Sequence, residues 1–530
     1  MIDQIPLMKK LFQLITVLLI TVCVQAQDNY WQQHVRYNID VSLNDKDHTL
    51  KGDLKLVYTN HSPDTLSFIW FHLWPNAYSS INTALARQLK DKKDAQQILA
   101  GKNNGYIREL SFSVNGTKSV LEPDAENPDV AKVILPKPLY PGDSVNIQTP
   151  FLVKLPSYFS RSGYYEDQYM VCQWYPKPAV YDKDGWHQFP YLDQGEFYSE
   201  YGSFRVNITL PSRYVVGATG TLQTTDELNR YKEIGIQNRL DTLRPVAYKP
   251  SSQPVKTLTY VADSVHDFAW FADRNFIIQY DTLSVIPGKT IDVFAYYQPD
   301  GNKRWRNSTS FLRDAIKHYS MWVGAYPYPT VAAVEGPKNQ SSGGMEYPMI
   351  TLITSPDASA EALDAVITHE VGHNWFYGII GSNERKHPWM DEGLDTYFEF
   401  VYEAMKYRSN SIFGDAIPKE LKSLPAKQFL ENIFYAINTL PMDKPVMTSS
   451  TGFENEEEYG MVAYLKTATW MFLLQEALGE ELFLKAVNNY FNEWKFKHPT
   501  PADLQRSFEQ TAGRPLNDIF DLLNKPGNFK

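Results

Sequence analysis

Two histidines with a glutamate between them are the residues of this 530-residue chain best placed by type and spacing to do chemistry: His369-Glu370-Val371-Gly372-His373. Around them Leu363, Val366, Ile367, Val371 and Trp375 recur at helical spacing, with Asp357 or Ser359 available as the N-cap. Histidines four apart on a helix share one face, so both imidazoles can ligate one zinc ion. Glu370 then lies beside the metal, placed to take a proton from a bound water. A catalytic site of this kind wants a third protein ligand, and Asp391-Glu392 opens the next helical run after 18 intervening residues. Glu392 can return to the metal as that ligand, or merely complement the dipole of the helix it opens. Glu399, two turns further along the same face, can accept a hydrogen bond from the second nitrogen of a ligand histidine, or stand as an ordinary solvated helix charge.

The elements that must position these residues change character along the chain. Tyr37, Ile39, Val41 and Leu43 alternate with polar residues, as do Leu50, Leu54, Leu56 and Tyr58, and later Phe204, Val206, Ile208 and Leu210. These are half-buried antiparallel strands, so the first half reads as an all-β domain. From about Asn307 the period becomes helical, with Leu312, Ala315, Ile316, Tyr319, Trp322 and Val323 on one face. The expected division is a leader over 1–26, a β-domain over 27–289 and a mainly helical domain over 290–530.

Composition restricts the function classes. The chain is 43% hydrophobic and 21% charged, which is globular, and its net charge of −10 argues against a nucleic-acid-binding surface. Only Leu11 to Val24 is apolar enough to consider as a membrane segment, and it is too short for a comfortable span. Lys9 and Lys10 before it and Val24-Gln25-Ala26 after it give the pattern of a secretory signal peptide, which predicts export to a periplasm or beyond and no membrane span after cleavage. Val22 is bulkier than the small residue a lipid-anchoring site needs before Cys23, which argues against a lipoprotein. Cleavage leaves Cys172 alone, so stability must come from core burial rather than a disulfide.

Taken together, HEVGH, the 18-residue spacer and Trp389-Met390-Asp391-Glu392-Gly393 resemble the zinc signature of the aminopeptidase N family of gluzincins, which also contains leukotriene-A hydrolase. Gly343-Gly344-Met345-Glu346-Tyr347 resembles the family's exopeptidase motif GAMEN, and Tyr464-Leu465-Lys466-Thr467-Ala468 its catalytic-tyrosine segment YxKGA. Tyr459 matches a second active-site tyrosine of some members, and Cys172-Gln173-Trp174 lies where the family has a glutamine or glutamate that reaches the substrate. The chain departs from the pattern at Tyr347, which replaces an asparagine, and at Thr467, which replaces a glycine. It also stops at Lys530, where long members continue into a C-terminal helical domain, which implies a more open cleft.

The resemblance implies an α+β multidomain fold, an N-terminal β-sandwich saddle followed by a thermolysin-like zinc domain. It implies one zinc ion on His369, His373 and Glu392, with Glu370 as the acid-base and Tyr464 as an oxyanion donor. Glu346 would pair with the free α-ammonium of a peptide, so that cleavage falls after the first residue, and Gly343 and Gly344 would let the substrate backbone approach closely. The expected substrates are peptides with a free amino terminus. An endopeptidase or a hydrolase of unusual substrates fits the same chemistry, and an inactive peptide-binding module is the reading from another class.

Overall fold

The computed structural model describes residues 30–529 apart from Glu196, residues 339–342 and Pro356, so the expected leader lies outside the described residues. The alternation read from the sequence builds a large sheet. Strands β1 (His34–Asn44) and β2 (Thr49–Thr59) pair antiparallel with Ile39 opposite Leu54, and β3 (Ser144–Lys154) continues antiparallel beyond β2. On the other side of β1 lie β4 (Gly202–Pro211), parallel to it, and β5 (Val255–Val265). Tyr37, Ile39, Val41, Leu54, Leu56, Phe204, Val206 and Ile208 are all buried on one face, while Arg36, Asn38 and Asp40 face solvent. Two smaller sheets of four strands and one of two strands complete this β-rich half among the described residues.

A second, five-stranded sheet carries the other half. Its members are β6 (Ile277–Ile286), β7 (Lys289–Tyr297), β8 (Thr330–Glu335), β9 (Gly344–Tyr347) and β10 (Ile350–Ile353), in the order β6, β7, β8, β10, β9. The β7–β8 and β8–β10 pairs are parallel and the outer pairs antiparallel, which leaves β9 at an edge. The expected boundary near residue 290 therefore falls inside a hairpin whose two strands share one sheet, and we propose that the division lies ahead of Ile277. Helices follow: α1 (Ser308–Trp322), α2 (Ala360–Gly372), capped by the Ser359 hydroxyl, α3 (Glu392–Lys406) and α4 (Thr467–Leu478). Among the described residues, no helix is long and apolar enough to cross a membrane.

The first half is not purely β. A 16-residue helix spans Thr225–Leu240, where the sequence shows no apolar stripe. It buries Glu227, Tyr231, Gly235 and Asn238 instead, and a Cβ at Gly235 would fall 2.5 Å from Tyr280 Cβ, so the helix lies directly on β6. Asn238 anchors it by donating to the carbonyl oxygen of Ile278 at 2.9 Å. Tertiary contact, not periodicity, holds this element.

A buried ion pair ties the β-rich half together. Lys177 Nζ lies 2.9 Å from Asp267 Oδ1, with both side chains almost fully enclosed, and Tyr175 donates to the same oxygen at 2.9 Å. Burial alone would raise the Asp267 carboxyl, but Lys177 holds it below the usual carboxylate range. Its stabilising contribution is therefore complete above about pH 4 and is lost as acid protonates it in the fold. Replacing Asp267→Asn leaves Lys177 buried without its counter-charge, and a loss of about 3–5 kcal/mol is expected in urea unfolding at pH 7. An unchanged midpoint would refute that role.

Candidate metal centre and active site

Helix α2 presents His369 and Glu370 in its last turn, and His373 is its C-cap. Helix α3 begins at Glu392, after Asp391 as its N-cap. The two helices bring His369 Nε2, His373 Nε2 and Glu392 Oε2 into a triangle with edges of 3.1, 3.4 and 3.6 Å. Metal bonds of about 2.0–2.1 Å in tetrahedral geometry put ligand atoms roughly 3.3–3.4 Å apart. The donor set fits a divalent metal of that coordination.

The opposite sides of the rings explain why these three atoms can converge. His373 Nδ1 lies 2.6 Å from Asp391 Oδ1, and His369 Nδ1 lies 3.1 Å from Glu399 Oε2 and 3.2 Å from Asp395 Oδ2. Each carboxylate accepts from Nδ1–H, so each Nε2 faces Glu392. With the rings neutral, three acceptors face one point, an arrangement that a metal cation satisfies, as a ring proton does in its place. Glu399 thus lies where its spacing predicts, against His369. Asp391 and Asp395 were not singled out by the sequence, although Asp391-Glu392-x-x-Asp395-x-x-x-Glu399 sets four carboxylates on one helical face.

Glycines make room for this packing. A Cβ on Gly372 would overlap Asp395 Oδ1 and the Tyr319 hydroxyl, which explains the fourth residue of the HEVGH run. A Cβ on Gly344 would fall 2.5 Å from the Glu370 carboxyl, so Gly344 seats the acid-base candidate against β9. Gly343 has only ordinary contacts, with Ser355 and Val366.

Glu346 stands on edge strand β9, buried, with carboxylate and imidazole atoms of Glu346, Glu370 and His373 within 4.8 Å of one another. Glu346 Oε1 and Glu370 Oε2 have no hydrogen-bond partner among the described residues. Burial, with Glu346 and Glu392 adding to it against the pull of His369 and His373, pushes Glu370 up to about 8, and burial likewise raises Glu346. Burial works the same way on Glu392, but His373 and His369 hold it below its ordinary value. The enclosed acidic charge suits a dication and a substrate ammonium.

The β-rich half closes the other side. Arg161 Nε donates to the sulfur of Met345 at 2.9 Å. Gln173, buried and at φ 47°, accepts at Oε1 from the Tyr347 hydroxyl, 3.2 Å away. Tyr347 therefore packs against Gln173 and, at 5.9 Å, against the Phe271 ring. The Tyr464 ring lies nearly parallel to His369 with centroids 6.0 Å apart, and Tyr459 meets Tyr464 edge-on at 5.8 Å.

HExxH on one helix, glutamate from the next and carboxylates behind both imidazoles reproduce the donor pattern that the gluzincin resemblance implies. Residues 313–523 match the Peptidase family M1 domain. The match covers less than half of the chain and agrees with the resemblance to the aminopeptidase N family read from the motifs. It is 24% identical over 260 residues to glutamyl aminopeptidase of Bos taurus, and 24% over 241 residues to probable aminopeptidase 1 of Sulfurisphaera tokodaii. Those stretches cover 46% and 43% of this chain but only 26% and 29% of the relatives' lengths. In fold it is similar to an M1 zinc metallopeptidase from Deinococcus radiodurans, at TM-score 0.61 and 16% identity over 94% of both chains. Aminopeptidase A of Legionella pneumophila superposes at TM-score 0.63 and 14% identity, over 95% of this chain and 50% of that one.

Asp391→Asn should weaken divalent-metal binding about 10- to 100-fold in chelator competition, because the His373 ring loses its charged anchor. Wild-type affinity in that variant would exclude Asp391 as the group that orients the ligand.

Proposed function

We propose that the chain is a secreted zinc aminopeptidase that removes the first residue of peptides, with His369, His373 and Glu392 as the metal ligands. When bound, zinc lowers the pKa of a coordinated water towards roughly 7 and polarises a carbonyl oxygen. Glu370 takes the proton of the attacking water and delivers it to the leaving amine. The Tyr464 hydroxyl donates to the oxygen on which negative charge develops. Strand β9 ends its sheet, and we propose that an extended substrate lies along it with its α-ammonium paired to Glu346. The observation that carries this reading is the buried Glu346 carboxyl, with an oxygen lacking a partner among the described residues and a 4.8 Å reach to Glu370 and His373. Gln173 Oε1 accepts from Tyr347 and keeps a second lone pair for a substrate amine beside Glu346. The M1 enzyme from Deinococcus radiodurans, in mutant form, has been crystallised with a Tyr-Ser-Ala substrate, which supports short peptides as the class. Export rests on the leader pattern from Lys9 to Ala26.

A short peptide with a free amino terminus should be hydrolysed and its N-acetylated twin left intact; equal cleavage of both would replace the aminopeptidase reading with an endopeptidase. Glu370→Gln should keep one zinc per chain and lose about 10²- to 10⁴-fold in kcat, and full activity would overturn the mechanism. Tyr464→Phe should cost about 10²- to 10³-fold in kcat, the usual effect of losing an oxyanion donor.

A further inference from the structure

Tyr464 is carried by a distorted stretch of helix. The backbone from Gly460 to Lys466 adopts the wide π form between the short helix Glu456–Tyr459 and α4. Such turns are uncommon and need local support, because their hydrogen bonding departs from the regular ladder. Two side chains immediately after Tyr464 supply it.

Lys466 is fully buried and donates to three carbonyl oxygens, those of Lys444 at 2.7 Å, Lys525 at 3.0 Å and Met442 at 3.4 Å. The loop it grips is tied back by Lys444, whose Nζ lies 2.9 Å from Glu458 Oε2, and the C-terminal stretch is fastened by Met447 N donating to the Leu523 oxygen at 3.0 Å. The outer side of the turn is therefore fixed to the body of the domain.

Thr467 holds the inner side. Its hydroxyl donates to the carbonyl of Val462, five residues earlier and inside the π turn, at 3.1 Å. Its Cβ and methyl occupy the space that a side chain at position 393 would need, since a Cβ on Gly393 would overlap both. Gly393 directly follows the metal-ligand candidate Glu392. One buried residue thus joins the turn that presents Tyr464 to the helix start that presents Glu392.

We infer that Thr467 is a positioning residue for Tyr464, its hydroxyl fixing the π turn through Val462 while its methyl seats that turn against Gly393. The inference rests on the proposed aminopeptidase reading for its kinetic consequences, but the contact it describes exists without substrate. A glycine at 467 supplies neither the hydroxyl nor the packing, so this chain replaces backbone freedom with a specific lock.

Thr467→Val keeps the shape and removes the hydroxyl, whereas Thr467→Ser keeps the hydroxyl and removes the methyl. With a free-amino peptide as substrate, Thr467→Val should lower kcat about 10- to 100-fold, the scale of a small misplacement of a reacting group. KM and zinc content should stay at wild-type values, and Thr467→Ser should restore most of the loss. In a Tyr464→Phe background the same substitution should have little further effect, because the two act through one group. An equal kcat loss in that background, or no loss from Thr467→Val in an active enzyme, overturns the positioning role and leaves the aminopeptidase reading intact. If the wild-type protein cleaves neither free nor acetylated peptide, the functional reading fails instead, and amide hydrogen exchange over residues 456–470 decides the inference. Faster exchange in Thr467→Val supports it, and unchanged exchange overturns it.

Discussion

The fold turns on the enforced meeting of three hydrogen-bond acceptors, His369 Nε2, His373 Nε2 and Glu392 Oε2, at a point buried between two helices. With neutral rings, the imidazole nitrogens and the carboxylate repel one another unless a metal ion or a ring proton joins them, and the polypeptide holds them in place by further means. It does so through the carboxylates behind the rings, through Gly372, which lets α1 and α3 close on α2, and through the aromatic layer of Tyr319, Trp375 and Phe398 packed around them.

The same constraint organises the cleft. Five buried carboxyls, Glu346, Glu370, Asp391, Glu392 and Asp395, surround two imidazoles, and burial raises all of them except Glu392, which the two histidines hold down. Such a region selects for positive charge by its field alone. A dication and an ammonium group satisfy different parts of it, the first between the helices and the second on the edge strand. Contributions from the β-rich half, Arg161 on Met345 and Gln173 on Tyr347, shape that second part, so neither half of the chain builds the cleft alone.

What the sequence disclosed and what it concealed follow from the range of the interactions. His369 and His373 were legible as a pair because helical periodicity converts a fixed spacing into a shared face, and the strand alternation at Tyr37 to Leu43 was legible for the same reason, whereas spacing alone left Glu392 and Glu399 open and the resemblance supplied the role of Glu392. Asp391 and Asp395 were visible as residues but not as partners, because their role depends on which way the rings turn. The contact of Gly344 with Glu370 was not legible, since nothing local says that the space beside it belongs to that side chain. The helix Thr225–Leu240 escaped because its buried face is made of Glu227, Tyr231, Gly235 and Asn238, residues whose burial is decided by β6 and not by their own hydropathy. Thr467 looked like a disturbance of a glycine-containing motif, and only the vacancy at Gly393 turns it into a fitted part.

Strand β9 has a consequence for the behaviour of the whole molecule in solution. An unpaired strand edge is a template for any extended chain, including another copy of this protein, and long apolar edges drive aggregation. This edge is only four residues, about 13 Å of extended backbone, and carries an acidic side chain at its third position. All four of its residues are buried, so a neighbouring copy does not reach it. Self-association through the edge is thus prevented by enclosure, and the same enclosure decides what can reach Glu346.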